Sequence, residues 1–159
     1  MKRQIKLKVN GVLKEVSVEP WWSLAYVLRE ELGLLGTKVG CEMGNCGTCT
    51  VLLDGMAMKS CLVLAPKAHG KEVITIEGLE GKDGKLHPLQ EAFIDQFAVQ
   101  CGYCTPGMIL SAKALLDENP DPTEEDVRRG LSGNLCRCTG YVKIVDAVLS
   151  AKEMIKKGS

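Results

Sequence analysis

Aromatic side chains make up only 4% of this 159-residue chain, too few for a large aromatic core. Neither sign of charge is in excess. Twenty lysines and arginines cancel twenty aspartates and glutamates, and no basic run stands out, so nucleic acid is a poor partner. No apolar run approaches the length that crosses a membrane. The basic start MKRQIKLKVNG shows no apolar core, no cleavage site and no twin arginine, so no secretory signal is expected there. A cytoplasmic chain with no membrane partner is the expectation.

The sequence is rich in cysteine. Eight cysteines in a chain of this length, in a reducing compartment, point to metal rather than to disulfides. The remaining composition, 25% charged and 45% hydrophobic, is that of a globular protein. The length suits one ordinary domain or two small ones. Small domains hide little surface and need reinforcement beyond apolar burial, which bound inorganic centres would supply.

The organisation is α+β. Ile5, Leu7 and Val9 alternate, Asn10-Gly11 is a hairpin turn, and Val16 and Val18 return as a second strand before Pro20. Ser23 caps an expected helix with apolar positions at Leu24, Val27, Leu28 and Leu32, closed by Gly33. Periodicity vanishes from Gly36 to Thr48. A second hairpin follows around Asp54-Gly55, and Val73, Ile74 and Ile76 form a last short strand. The glycine-rich, charged stretch EGLEGKDGKLH reads as a linker. The expected division is 1–77, linker 78–87, and 88–159.

The second part reads as all helix. Leu89, Phe93, Ile94 and Phe97 follow Pro88 at helical spacing. Thr105-Pro106 is an expected N-cap and first-turn pair, and Thr123 with Asp126 resembles a capping box. A final helix from about Tyr141 to Lys156 carries Ile144, Val145, Val148, Leu149 and Ile155 on one face.

The first four cysteines are Cys41, Cys46, Cys49 and Cys61. Their C-x4-C-x2-C spacing with a later fourth cysteine is that of a plant-type [2Fe–2S] cluster. Three thiolates on one tight loop must converge on two irons, and the glycines among them bring bare N–H groups against sulfur. A zinc knot is the competing reading. The second four are Cys101 and Cys104 in QCGYCTPG, and Cys136 and Cys138 in GNLCRCTGY. Each pair precedes an expected helix N-terminus, a suitable place for an anionic cluster. A four-cysteine zinc site and a redox-active C-x-x-C disulfide compete there. Four thiolates, two sulfides and two ferric ions sum to about −2 per oxidised cluster, so the loaded chain would be acidic.

Other residues tempt. His69 and His87 are read as surface or linker histidines. Trp21-Trp22 suit either an interface or packing beside the first helix. Arg137 suits tuning or solvent, and Met43, Met56 and Met58 suit either core or docking surface.

CEMGNCGTC with Cys61, then QCGYCTPGM, then GNLCRCTGY resembles the iron–sulfur subunit of the molybdenum hydroxylases, the xanthine dehydrogenase, aldehyde oxidoreductase and carbon monoxide dehydrogenase family. The likeness runs from about Ile5 to Lys152. It implies a ferredoxin-like β-grasp domain followed by a four-helix bundle, with one [2Fe–2S] cluster in each. By the same resemblance the cluster on Cys101, Cys104, Cys136 and Cys138 lies near a molybdopterin in a large partner subunit. The cluster on Cys41, Cys46, Cys49 and Cys61 lies toward an FAD subunit. Gln100 and Cys138 match positions that contact the pterin, although Gln100 is equally readable as a polar loop residue. The chain stops at Ser159, so the molybdenum and flavin parts are expected on separate polypeptides, in a heterotrimer or its dimer. The implied function is a relay of single electrons between molybdopterin and FAD. A free-standing two-cluster ferredoxin and a zinc-holding adaptor are the alternatives.

Overall fold

A computed structural model describes residues 1–81 and 83–158. Lys82, in the expected linker, and Ser159, at the end of the expected second domain, lie outside the described residues. Five strands form one mixed sheet in the order β2-β1-β5-β3-β4. The strands are β1 (Arg3–Val9), β2 (Val12–Val18), β3 (Thr50–Leu53), β4 (Met56–Lys59) and β5 (Glu72–Ile74). The β1–β2 and β3–β4 hairpins are antiparallel, and β5 inserts between them, parallel to β1. Both hairpins turn as their sequences dictate. Asn10-Gly11 and Asp54-Gly55 place two successive residues at positive φ, the tight turn whose twist matches the strands.

Alternation in β1 buries Ile5, Leu7 and Val9 against α1 (Leu24–Tyr26) and the wide π turn Val27–Glu31 that continues it. Ser23 caps this helix as expected, its hydroxyl accepting the Tyr26 amide. The final strand is shorter than expected and ends before Ile76. The Asn10 side chain takes over at Thr75, accepting its amide and donating to its hydroxyl, both at 2.9 Å. With that amide spent on a side chain, the ladder stops and a short 3-10 turn begins at Ile76.

Four helices follow: α2 (Pro88–Asp95), α3 (Thr105–Glu118), α4 (Glu124–Gly130) and α5 (Val142–Gly158). They enclose a second core that includes Leu89, Phe93, Met108, Leu110, Val127, Ile144 and Val148. Each fully buried leucine or phenylalanine contributes about 1.5–3 kcal/mol. The Thr123–Asp126 capping box is present on both sides. At α3 the start moves by one residue, because Cys104 rather than Thr105 is the N-cap. Gly102 at φ +81° and the bond from the Thr105 amide to the Gly102 carbonyl turn the chain into helix already at Cys104. At α2 the helix ends at Asp95, and Phe97, read as helical, is 81% exposed at positive φ.

The two cores meet at β3, all four of whose residues are buried. Val51 and Leu53 face the first core, while Leu52 points to the second, as a two-residue period requires. Helix α3 packs against that strand.

His87 closes the other end of the helical half. Its Nδ1 accepts the Leu89 amide at 3.2 Å while its own amide donates to Gln90 Oε1 at 2.9 Å, a capping box for α2. Burial first, and the Lys113 cation second, hold its pKa below 6.5, with Asp117 opposing them. The native state therefore binds the proton less readily than the unfolded chain does. The cap's contribution is present above the unfolded value of about 6.5 and is lost as pH falls through the lower folded value. The thermal midpoint is expected to drop on acidification through that window, and His87→Asn, a cap that does not titrate there, is expected to flatten the drop. Identical pH profiles for the two proteins would contradict this role.

Candidate metal centres

The first cysteine loop is shaped by backbone. Glu42, Gly44 and Gly47 all adopt positive φ, which coils the loop so that its amides point inward. Three of them, from Met43, Asn45 and Cys46, lie within 3.3–3.5 Å of the Cys41 sulfur. The Cys46 amide leads and Met43 follows in lowering the Cys41 thiol to about 6, so this sulfur is prepared to be a thiolate. The Cys46 sulfur touches the Thr48 hydroxyl at 3.3 Å. Cys49 is 2% exposed just before β3, and Cys61 sits in the 3-10 turn after β4. Burial, and then the Cys49 thiol beside it, push Cys61 up to about 11.

The second set gathers where α3 and α5 begin. Cys104 is the N-cap of α3, and burial followed by contact with Cys136 pushes its thiol up to about 12. Burial acts to raise Cys136, but the hydroxyl and amide of Thr139, with the Cys138 amide and the Cys104 thiol, leave the thiol lowered. Those donors lie 3.1 and 3.4 Å from its sulfur. The Cys136 amide donates to the Tyr141 hydroxyl at 2.9 Å. Cys101 and Cys138 are both exposed, and the neighbouring Cys101 thiol raises Cys138.

Within each set the thiols act on one another: Cys46 on Cys41, Cys49 and then Cys41 on Cys61, Cys136 and then Cys101 on Cys104, and Cys101 and then Cys136 on Cys138. Among the described residues, no three histidine, cysteine or acidic side chains converge as around a single metal ion. Two thiolates per iron is the ligand pattern of a [2Fe–2S] centre, whereas a tetrahedral zinc ion takes four on one point. N–H and O–H donors directed at sulfur stabilise an anionic centre. The donor sets fit two such clusters.

The remaining candidates fall outside these sets. His69 accepts the Lys6 amide beside β1 and His87 is a cap. Met43 and Met56 are well exposed and Met58 borderline, and Arg137 is exposed. Trp21 is exposed, while Trp22 stacks on Tyr26 at 4.6 Å with Lys2 over its ring. Gln100 is exposed beside Cys101. The sequence reading missed Thr48, Thr139 and Tyr141, although all three stand within a few residues of cysteine, where a hydroxyl can reach sulfur or the loop backbone.

Comparison with known proteins agrees with this donor chemistry. Residues 7–75 match the family described as a 2Fe-2S iron-sulfur cluster binding domain, and residues 75–149 match the [2Fe-2S] binding domain. The chain is 52% identical to the nicotinate dehydrogenase small FeS subunit of Eubacterium barkeri, over 94% of each chain. It is 48% identical to the xanthine dehydrogenase iron-sulfur-binding subunit of Escherichia coli, again over 94% of each. Quinoline 2-oxidoreductase from Pseudomonas putida 86 contains a chain that superposes with a TM-score of 0.94 at 47% identity, covering 99% of this chain and 98% of that one. With relatives this close along nearly the full length and two 2Fe-2S domain families matched end to end, the chain belongs to the small iron–sulfur subunits of the molybdenum hydroxylase family.

Proposed function

We propose that this chain is the electron-relay subunit of a multi-subunit molybdenum hydroxylase, passing single electrons between a molybdopterin centre and FAD. In this reading Cys41, Cys46, Cys49 and Cys61 hold one cluster, and Cys101, Cys104, Cys136 and Cys138 hold the other. Residues 1–77 form a ferredoxin-like β-grasp domain, 78–87 a linker and 88–159 a four-helix bundle domain. Gln100 and Cys138 contact the pterin. The partners are a large molybdopterin subunit and an FAD subunit, in a heterotrimer or its dimer, in the cytoplasm. Among the described residues no helix is long and apolar enough to cross a membrane.

The observation that supports this reading most is the gathering of eight thiols into two sets whose loops are joined by the bond from the Leu135 amide to the Cys46 carbonyl. When bound, each [2Fe–2S] centre supplies a one-electron couple, which lets a two-electron oxidation be delivered to a flavin in single steps. The chain's own residues do the rest. Amides of the first loop and Thr139 of the second hold negative charge at sulfur, and the buried position of Cys49 keeps water from its sulfur.

Surface character supports a partner at the second set. Gln100, Cys101 and Cys138 are exposed, and Phe97, Val99, Leu135 and Val142 stand exposed near them in the chain. Apolar side chains left beside a redox site are the expected mark of a surface that a partner covers. Native purification tests the reading. The chain is expected to co-elute with a molybdopterin-containing large subunit and a flavoprotein. A lone monomer that shuttles electrons between soluble donors and acceptors would contradict it.

A further inference from the structure

The two cysteine sets are joined across a short seam. The Leu135 amide donates to the Cys46 carbonyl at 2.8 Å, so one hydrogen bond links a residue of the first set to the neighbour of Cys136 in the second. Beside it lies Asn134, 4% exposed, with its whole amide group committed to the seam. Its Nδ2 donates to the Gly47 carbonyl at 3.0 Å and reaches Thr50 Oγ1 at 3.4 Å, and its Oδ1 accepts from Ser111 Oγ at 2.9 Å. These partners belong to the first cysteine loop, to β3, and to α3, the helix capped by Cys104. Turning or removing the amide would leave buried polar groups unpaired, which the fold resists. Asn134 therefore has one orientation, and it ties three segments to the residue that makes the cross-seam bond.

We propose that Asn134 is a positioning residue for electron exchange between the two redox centres, acting by fixing the Cys46–Leu135 hydrogen bond and hence the separation of the two cysteine sets. The inference rests on the reading that each set holds a cluster. In the exchange one centre is oxidised by one electron and the other reduced by one; no covalent bond changes and no proton moves. Asn134 touches neither centre. It acts through the backbone of Cys46 and Leu135, and because exchange falls steeply with distance, a small slackening of the seam slows it.

The test is Asn134→Ala in the full chain loaded with iron, with Asn134→Gln as the conservative variant. The readouts are iron content, the midpoint potential and paramagnetic signal of each reduced centre, the magnetic interaction between them, and their equilibration rate after a one-electron pulse. Asn134→Ala is expected to keep both signals and potentials, to alter the magnetic interaction, and to slow equilibration at least about tenfold. Asn134→Gln is expected to recover part of both losses. Full iron content with unchanged interaction and rate in Asn134→Ala would overturn the proposal. Should Asn134→Ala fail to load, Ser111→Ala decides, since it removes one bond to the Asn134 amide and leaves both cysteine loops intact. Slower equilibration there supports the proposal, and an unchanged rate overturns it. Fewer than two signals in the unaltered chain would instead overturn the relay reading itself, and this inference with it.

Discussion

Replacement of Cys49 by alanine is expected to remove roughly half of the bound iron and leave the second centre loaded. Cys49 is the most buried of the eight cysteines and pairs with Cys61. Without it one iron of the first site loses a protein ligand in a place water enters poorly, and the centre does not persist. The second set draws its ligands from other segments, Cys101 and Cys104 before α3 and Cys136 and Cys138 before α5, so its occupancy does not depend on Cys49. Binding free energy of a metal centre is also folding free energy, so the first core is expected to melt earlier while the helical half keeps its transition. Iron analysis and the visible spectrum of the variant check this. Equal loss from both sites would mean that the two sets are not independent centres.

Alanine at Gly47 is expected to cost about 2–4 kcal/mol, from overpacking and from a left-handed backbone together. A Cβ there would lie 2.3 Å from the Gly133 carbonyl oxygen and 2.7 Å from Asn134 Nδ2, at φ +73°. Gly107 faces the same contact from α3, where a Cβ would meet the Gly47 oxygen at 2.4 Å. The Gly133 and Gly47 carbonyl oxygens are main-chain atoms that cannot swing aside. Gly55 is the control, since it has φ +83° with nothing within 4 Å, and its replacement by alanine should cost only the backbone strain, about 1–2 kcal/mol. The expected fall in melting temperature for Gly47→Ala is about 4–16 °C, visibly larger than for Gly55→Ala. Equal falls would show that the close approach across the seam carries no energy.

Much of this molecule was legible in its sequence because local rules decide it. Both hairpin turns follow from Asn-Gly and Asp-Gly, the first helix from the Ser23 cap, and the Thr123–Asp126 box from its spacing. The match to two 2Fe-2S domain families was legible for the same reason, since the segments 41–49, 101–104 and 136–138 are each contiguous cysteine motifs. What escaped depends on residues distant in the chain. Nothing near Thr75 announces that Asn10 will capture its amide and end β5. The alternation in β3 shows two faces but not that Leu52 belongs to the helical core. Phe97 follows a helical period, yet its backbone leaves the helix and the ring stays exposed. Asn134 reads as a polar loop residue, and only the folded seam brings Gly47 and Ser111 to it.

Electron paramagnetic resonance of the anaerobically purified, fully reduced chain tests the central claim most directly. Two distinct reduced [2Fe–2S] signals, each integrating to one spin per chain, are the predicted result. A single signal, or none alongside bound zinc, would contradict it.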